Sequence, residues 1–126
     1  MDKQIRVLIT GAGAPGIAGT IYSLRNNYNK RKFYIITTDI KSDVPGKYLS
    51  DDFYVIPPAI QKEMYLEALY KICHEEKVQI IIPQNTAELF ILASSKKEFK
   101  KRGVSILLSD PKAIDVANNK YKLMQI

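Results

Sequence analysis

The feature that most constrains the fold of this chain is an apolar run that leads directly into a glycine-rich turn. Ile5–Ile9 carries four aliphatic residues in five positions, the near-continuous pattern of a strand covered on both faces. Glycines follow at Gly11, Gly13 and Gly16, in the G-x-G-x-x-G spacing of a turn between a strand and a helix. The sequence therefore predicts a strand, a tight turn and a helix at this point.

Each glycine has its own physical role in such a turn. Gly11 can adopt the geometry of a sharp turn, Gly13 lets the backbone approach a ligand closely, and Gly16 lets the helix lie near the strand. Backbone N–H groups at the start of the helix could hold an anion. The candidate ligand-binding residues of this turn are Gly11, Ala12, Gly13, Ala14 and Gly16. The same spacing also occurs as a structural corner of parallel α/β domains, so both interpretations stay open.

The composition is that of one globular domain. The 126 residues are 46% hydrophobic and 25% charged, which suits a sizeable core and argues against disorder. The net charge of +6 suggests a polyanion as a partner. The cations gather, however, at 30–32 and 96–102, near the ends of predicted helices, where they offset the helix dipole. Because no nucleic-acid-binding motif accompanies them, we expect no nucleic-acid partner.

The sequence also lacks the marks of a membrane or secreted protein. It has no uncharged apolar run long enough to span a bilayer, and its first residues form no signal-peptide pattern. The single cysteine, Cys73, excludes an intrachain disulfide framework and a cysteine-rich metal site. His74 is interpreted as a surface residue of a helix. We therefore expect a cytoplasmic protein with no membrane partner, and we assign no catalytic or metal-ligating residue.

Strand and helix patterns alternate along the rest of the chain. The predicted elements are a helix at Ile17–Asn27, a strand at Phe33–Ile40, a polar loop at Lys41–Asp52, a short strand at Phe53–Ile56, a helix at Lys62–Glu76, a strand at Val78–Pro83, a helix at Thr86–Lys101, a strand at Val104–Leu108 and a short helix from Asp110. This order predicts an α/β, Rossmann-like fold with an open, mainly parallel sheet and helices on both faces. The most apolar runs, 7–10 and 78–83, should form its central pair.

Three strand-to-helix turns should meet at one edge of this sheet. Asp39 lies near the end of the second strand, 23 positions after Gly16. Dinucleotide-binding folds often place an acid that binds a ribose at about this distance; an exposed strand-end carboxylate is the alternative. Asn85 and Glu88 have the spacing of a capping box, which would give both a structural role. Together with Thr86 they are also candidate ligand-binding residues. We expect this turn, Asp39 and the glycine turn to surround one cleft.

Taken together, several segments resemble the N-terminal pre-ATP-grasp domain of carbamoyl-phosphate-synthase-like ATP-grasp proteins. These segments are Val7–Gly13, Thr38–Ile40, Phe53–Pro58, Ile81–Pro83 with Glu88–Leu89, and Asp110–Pro111 with Asn119–Lys120. The resemblance spans nearly the whole chain and depends on the order and spacing of the segments. Asn119–Lys120 is similar to the Asp-Lys pair with which the ATP-grasp module commonly opens, with Asn in place of Asp.

The resemblance implies a pre-ATP-grasp domain at 1–118 and the start of a following ATP-grasp module at 119–126. It implies part of an ATP-dependent carboxylate–amine or carboxylate–thiol ligase that acts through an acylphosphate, and a fragment that is inactive alone. ATP and Mg²⁺ would bind mainly to the following module, so we expect no cofactor to bind this chain tightly. The implied partners are that module and a small-molecule substrate; a homodimer is left open.

Two other functions share part of this pattern. An NAD(P)-binding Rossmann module of a dehydrogenase would use the same three glycines and Asp39. A short-chain dehydrogenase would also need a Tyr-x-x-x-Lys pair on a later helix, and the one match, Tyr28 with Lys32, precedes the second strand. The third interpretation is a non-catalytic interaction domain in which the glycine turn binds nothing.

Overall fold

The computed structural model describes residues 4–27 and 30–107. The elements of this part are β1 (Ile5–Thr10), α1 (Ile17–Arg25), β2 (Phe33–Asp39), α2 (Pro45–Leu49), β3 (Asp52–Val55), α3 (Lys62–Glu76), β4 (Ile80–Pro83), α4 (Thr86–Ser94), α5 (Lys96–Lys101) and β5 (Ser105–Ile106). The predicted helix at Asp110 and the expected module start at 119–126 lie outside the described residues.

The strands form one five-stranded sheet in the order β3-β2-β1-β4-β5, and every neighbouring pair is parallel. The predicted α/β, Rossmann-like fold is therefore confirmed. The predicted central pair is also correct, because β1 pairs with β4 and Thr10 lies opposite Pro83. All strand-to-helix turns consequently leave from the same edge, the C-terminal edge of the sheet.

Helices cover both faces of the sheet, and alternate strand residues belong to different cores. Leu8 and Ile36 belong to the larger core, which α3, α4 and α5 cover. Val7, Ile9 and Ile35 point to the other face and pack against α1. All five of these side chains are fully buried, as expected where strands are covered on both faces.

The polar segment at 41–52 contains a helix, so its prediction as a loop was wrong. Val44 is buried, and α2 begins directly after it with Pro45 at the first helical position, where a missing N–H has no cost. On the same side, the Thr37 hydroxyl lies 2.9 Å from that of Ser50. A single short turn of helix with one buried apolar residue is too brief to produce a periodic pattern, which explains why the sequence did not reveal it.

The long helix predicted at 86–101 is two helices, separated at Ser95. Ser95 has φ −103° and ψ 7°, and its N–H is shared between the carbonyls of Ile91 and Leu92. Leu92 and Phe99 are both fully buried. Because they are seven residues apart, the apolar periodicity continues across the break and hides it.

A network of side chains fastens the opposite, N-terminal edge of the sheet. The Arg6 guanidinium forms an ion pair with Glu76 at 2.8 Å and lies over the ring of Tyr34, 4.1 Å from its centre. The Tyr54 hydroxyl donates to Glu76 at 2.5 Å. These contacts join the end of α3 to β1, β2 and β3. Within the described ranges, no helix is long and apolar enough to cross a membrane.

Candidate functional site

The three predicted turns do lie together at the C-terminal edge of the sheet. The glycine turn contacts the turn after β4: a Cβ added to Gly11 would lie 3.1 Å from the Asn85 Cβ. It also contacts the end of β2, since the Gly13 N–H donates to Asp39 Oδ2 at 2.8 Å. Gly11 has φ +77°, so its predicted role as the sharp turn is correct. Whether these residues bind a ligand stays a prediction.

The candidate residues differ in how far solvent reaches them. Exposed members are Gly13, Gly16 and Thr86; partly buried members are Ala14, Asp39 and Asn85; buried members are Gly11, Ala12 and Glu88. Thr86 is the first residue of α4 and adds no hydrogen bond to the cleft among the described residues. A ligand at this edge would therefore contact the exposed backbone at Gly13 and Gly16, with the buried carboxyl group of Glu88 behind the surface.

The N–H groups of the glycine turn are mostly used by the chain itself. Those of Ala12, Gly13 and Ala14 donate to the Thr38 carbonyl at 2.9 Å, the Asp39 carboxylate at 2.8 Å and the Gly11 carbonyl at 2.8 Å. The expectation that the backbone of 12–16 offers free donors to an anion is wrong at these three positions, and Pro15 has no N–H. A bound pyrophosphate would have to break existing hydrogen bonds, so the turn is poorly suited to a dinucleotide.

Helix α2 also covers the glycine turn. The Gly46 N–H donates to the Ala12 carbonyl at 2.9 Å. A Cβ added to Gly13 would lie 3.0 Å from Val44 Cγ1, so the close approach that Gly13 permits is to the chain rather than to a ligand. At Gly16 an added Cβ would meet only Gln84 Oε1, at an ordinary 3.5 Å. The predicted close packing of helix on strand at Gly16 is therefore not observed.

Asp39 ties two backbone segments together. Its Oδ2 accepts from the Gly13 N–H, and its Oδ1 accepts from the Lys41 N–H at 3.0 Å. Each carboxylate oxygen thus already holds a backbone donor that a ribose hydroxyl would have to share. This geometry favours the structural interpretation of Asp39 over the ribose-binding one.

Glu88 does not complete the predicted capping box. Asn85 caps α4 as expected, because its side-chain oxygen accepts from the Glu88 N–H at 3.2 Å. The Glu88 carboxyl group turns the other way, into the space beneath α3, and accepts a hydrogen bond from the Tyr65 hydroxyl at 2.5 Å. Glu88 is only 6% exposed and Tyr65 is fully buried. The capping interpretation therefore holds for Asn85 and is wrong for the Glu88 side chain.

Burial controls the protonation of Glu88 and Tyr65. It raises the pKa of Glu88, an effect that the Tyr65 hydroxyl and the neighbouring Thr10 hydroxyl oppose and that the negative charge of Asp39 reinforces. Burial, followed by the charge of Glu88, also raises the pKa of Tyr65, so this phenol stays protonated and acts as a donor. The arrangement holds one carboxyl group in a desolvated place beside the cleft.

Two threonines near the C-terminal ends of the paired strands β1 and β2 were not foreseen from the sequence. Thr10 and Thr38 are fully buried, and within the described ranges their hydroxyl groups have no hydrogen-bond partner of regular geometry. Buried polar groups nearly always have a partner, so such a pair needs an explanation. The available signal was their position, because each threonine follows a core residue by two, Thr10 is the last residue of β1, and Thr38 is the last but one of β2.

Neither the histidine nor the cysteine of the described part of the chain offers a reactive group to the cleft. His74 is exposed, as predicted. Cys73 is buried and burial raises the pKa of its thiol to about 12, which makes it unreactive. Tyr28 lies outside the described residues, so its pairing with Lys32 is untested. In the part of the chain that the structure describes, no group of three His, Cys, Asp or Glu side chains could hold a metal ion.

Three solved structures share this fold. Glycinamide-RNase-transformylase T from Mycobacterium tuberculosis aligns over 80% of this chain and 28% of its own, with 14% identity and a TM-score of 0.54. N5-carboxyaminoimidazole ribonucleotide synthetase from Thermotoga maritima aligns over 82% and 24%, with 14% identity and a TM-score of 0.52. A dTDP-glucose 4,6-dehydratase from Bacillus anthracis, solved with NAD, aligns over 81% and 36%, with 19% identity and a TM-score of 0.51.

These likenesses show the fold alone, since the identities are only 14%, 14% and 19%. The chain spans about a quarter to a third of the length of these proteins. No curated protein sequence matches it. The family is decided by a sequence model for the PylC-like N-terminal domain, which matches residues 7–107 and so includes most of β1 and all of β2 to β5. The match confirms the resemblance to a pre-ATP-grasp domain: the chain belongs to the family of PylC-like N-terminal domains.

Proposed function

We propose that this chain is the N-terminal substrate and interface domain of a cytoplasmic, ATP-dependent carboxylate–amine or carboxylate–thiol ligase that acts through an acylphosphate. The observation that carries the proposal is the family match over 7–107. The cleft at the C-terminal edge supports it, because ligands of open α/β sheets bind there. The glycine turn supports it as well, because its closed hydrogen bonds suit a structural corner better than a dinucleotide site.

The work of this domain would be to bind and orient, while the chemistry occurs with the following module. ATP and Mg²⁺ would be held by that module, where they would supply the phosphoryl group that activates the acid. The acyl carbon would then be attacked by the amine or thiol, with release of phosphate. On this chain, the Asn85–Glu88 turn and the ends of β1 and β2 would bind part of the substrate.

An apolar surface beside the cleft suits the interface role. Ile60 is 92% exposed and Phe90 is 84% exposed, and they border a groove that also includes Pro58 and Ile91. The groove also includes Ala87, which belongs to the Asn85–Glu88 turn, so the groove borders the cleft. Large exposed apolar side chains of this kind mark contact surfaces. We assign this one to the ATP-grasp module of the same chain.

The test uses the full-length protein beside the 126-residue chain. With ATP, Mg²⁺ and a panel of carboxylic acids, the full-length protein should release ADP, and added hydroxylamine should trap the acylphosphate as a hydroxamate. The 126-residue chain should do neither. ATP hydrolysis by the 126-residue chain, or ADP release by the full-length protein without any hydroxamate, would contradict the proposal.

The rival dinucleotide function has a direct test on this chain alone. Because Asp39 and the N–H groups of the glycine turn are already hydrogen-bonded, we expect calorimetry to show no binding of NAD or NADP at micromolar concentrations. A micromolar Kd, about −8 kcal/mol, that is lost in Asp39→Ala would instead favour the dehydrogenase module. Asp43→Ala, which changes an exposed carboxylate of the next loop, is the matched control.

A further inference from the structure

Four buried polar side chains lie together where β1 and β2 end, on the face that α3 and α4 cover. Thr10 follows Leu8 by two residues, so its side chain points to the same core as Leu8. Thr38 has the same relation to Ile36, and Thr10 and Thr38 are direct neighbours in the sheet. Tyr65 and Glu88 reach this place from α3 and α4. The four form what we call the buried polar cluster: Thr10, Thr38, Tyr65 and Glu88.

The cluster has one acidic group, Glu88, and no basic group among the described residues. The ion pairs of the described residues are Arg6–Glu76, Arg25–Asp51 and Arg102–Glu98, and none includes Glu88. Its one hydrogen-bond donor of regular geometry is the neutral Tyr65 hydroxyl. The charged residue that influences the pKa of Glu88 is Asp39, which is also acidic and therefore raises that pKa. A buried carboxylate without a cation is costly, and this cost is removed if a cation arrives with the ligand.

The hydroxyl groups of the two threonines also indicate a ligand that brings hydrogen-bond donors. The hydroxyl groups of Thr10 and Thr38 are fully buried and form no hydrogen bond of regular geometry among the described residues. The Thr10 hydroxyl lies close to the Glu88 carboxyl group, and each of the two hydroxyl groups can still accept a hydrogen bond. With a carboxylate oxygen of Glu88, they make three acceptors in one place. A protonated primary amine has three N–H donors and one positive charge. It therefore matches the cluster in both number of donors and charge.

We propose that the buried polar cluster binds the protonated amino group of a substrate, with Glu88 as its ion-pair partner and the hydroxyl groups of Thr10 and Thr38 as further acceptors. Tyr65 is a positioning residue, because it holds the Glu88 carboxyl group and does not touch the amine. This rests on the proposed ligase function and narrows it: the site selects an amine over a thiol. A substrate carboxylate does not suit the cluster, since it would place a third acidic group beside Glu88 and Asp39.

The buried polar cluster is a different binding place from the glycine turn. Helix α2 lies on the opposite face of the sheet, where it covers Ala12 and Gly13. Glu88 is the cluster member that reaches solvent, at 6% exposure, while the other three are at 0%. The amine would thus enter from the C-terminal edge, past the Asn85–Glu88 turn.

The experiment follows the Glu88 carboxyl carbon by NMR in the 126-residue chain, with n-butylammonium as the probe and n-butanol as its neutral control. We expect butylammonium, but not butanol, to lower the pKa of Glu88, because the ion pair favours the charged form. At pH 7, Glu88→Gln should weaken butylammonium binding at least tenfold. Thr10→Val should weaken it severalfold. Glu63→Gln removes an exposed carboxylate of α3 and should leave binding unchanged.

Equal effects of butylammonium and butanol on the pKa of Glu88 would overturn the proposal, and this readout needs no variant that could misfold. Equal binding by wild type and Glu88→Gln would overturn it too. These measurements are independent of ligase chemistry. If butylammonium binds as expected and the full-length protein forms no hydroxamate, the amine site stands and the acylphosphate mechanism fails. If hydroxamate forms and butylammonium does not bind, only the amine site fails.

Discussion

Replacing Gly46 with alanine is expected to lower the free energy of unfolding by about 1–3 kcal/mol, the usual cost of overpacking. An added Cβ would lie 2.7 Å from the Ala12 Cβ and 2.8 Å from the Ala12 carbonyl oxygen, so α2 would have to move away from the glycine turn. That movement would also stretch the hydrogen bond from the Gly46 N–H to Ala12. Urea unfolding at pH 7 measures the change.

Gly19→Ala is the matched control, and the expected change has the opposite sign. Gly19 lies inside α1, and an added Cβ would meet nothing within 4 Å. Alanine in a helix interior is favoured over glycine by roughly 0.5–1 kcal/mol. If Gly46→Ala were as stable as Gly19→Ala, α2 would not hold the glycine turn closed.

Tyr65→Phe is expected to lower the free energy of unfolding at pH 7 by about 1–3 kcal/mol, the cost of leaving a buried polar group without its partner. Phenylalanine keeps the packing of the ring beneath α4 and removes the donor to Glu88. Tyr48→Phe is the control, since Tyr48 is 72% exposed and its loss of a hydroxyl should change little. Urea unfolding of the two variants compares them directly.

The pH dependence of the Tyr65→Phe effect separates a hydrogen bond from simple packing. The folded protein holds the Glu88 proton more tightly than the unfolded chain, because burial raises the pKa of Glu88 above its ordinary 4.5. Stability from this group is therefore greatest below pH 4.5 and falls as the pH rises through the folded pKa. Without Tyr65 the pKa of Glu88 rises further, so the deficit should be smaller at pH 4 than at pH 7. A deficit that is equal at both pH values would contradict the role of Glu88.

Local patterns along the chain were sufficient to predict the sheet. The apolar runs around Leu8 and Ile81 identified the central strands, because only strands covered on both faces lack polar positions. Alternation with helices then required parallel crossovers, and these put the glycine turn, Asp39 and Asn85 at one edge. The N-cap role of Asn85 was also predictable, since its partner, the Glu88 N–H, is three residues away.

Packing between distant segments decided how that edge is used. Gly13 meets Asp39 across 26 residues, and Tyr65 meets Glu88 across 23. No local pattern encodes such contacts, so the sequence was compatible with an open glycine turn and with a capping role for the Glu88 side chain. In the tertiary structure, Gly13 is instead hydrogen-bonded to Asp39 and the Glu88 side chain to Tyr65. Burial decided the remainder. Only burial beneath α3 and α4 turns one carboxyl group and two threonines near the ends of β1 and β2 into a cluster that has no cation among the described residues.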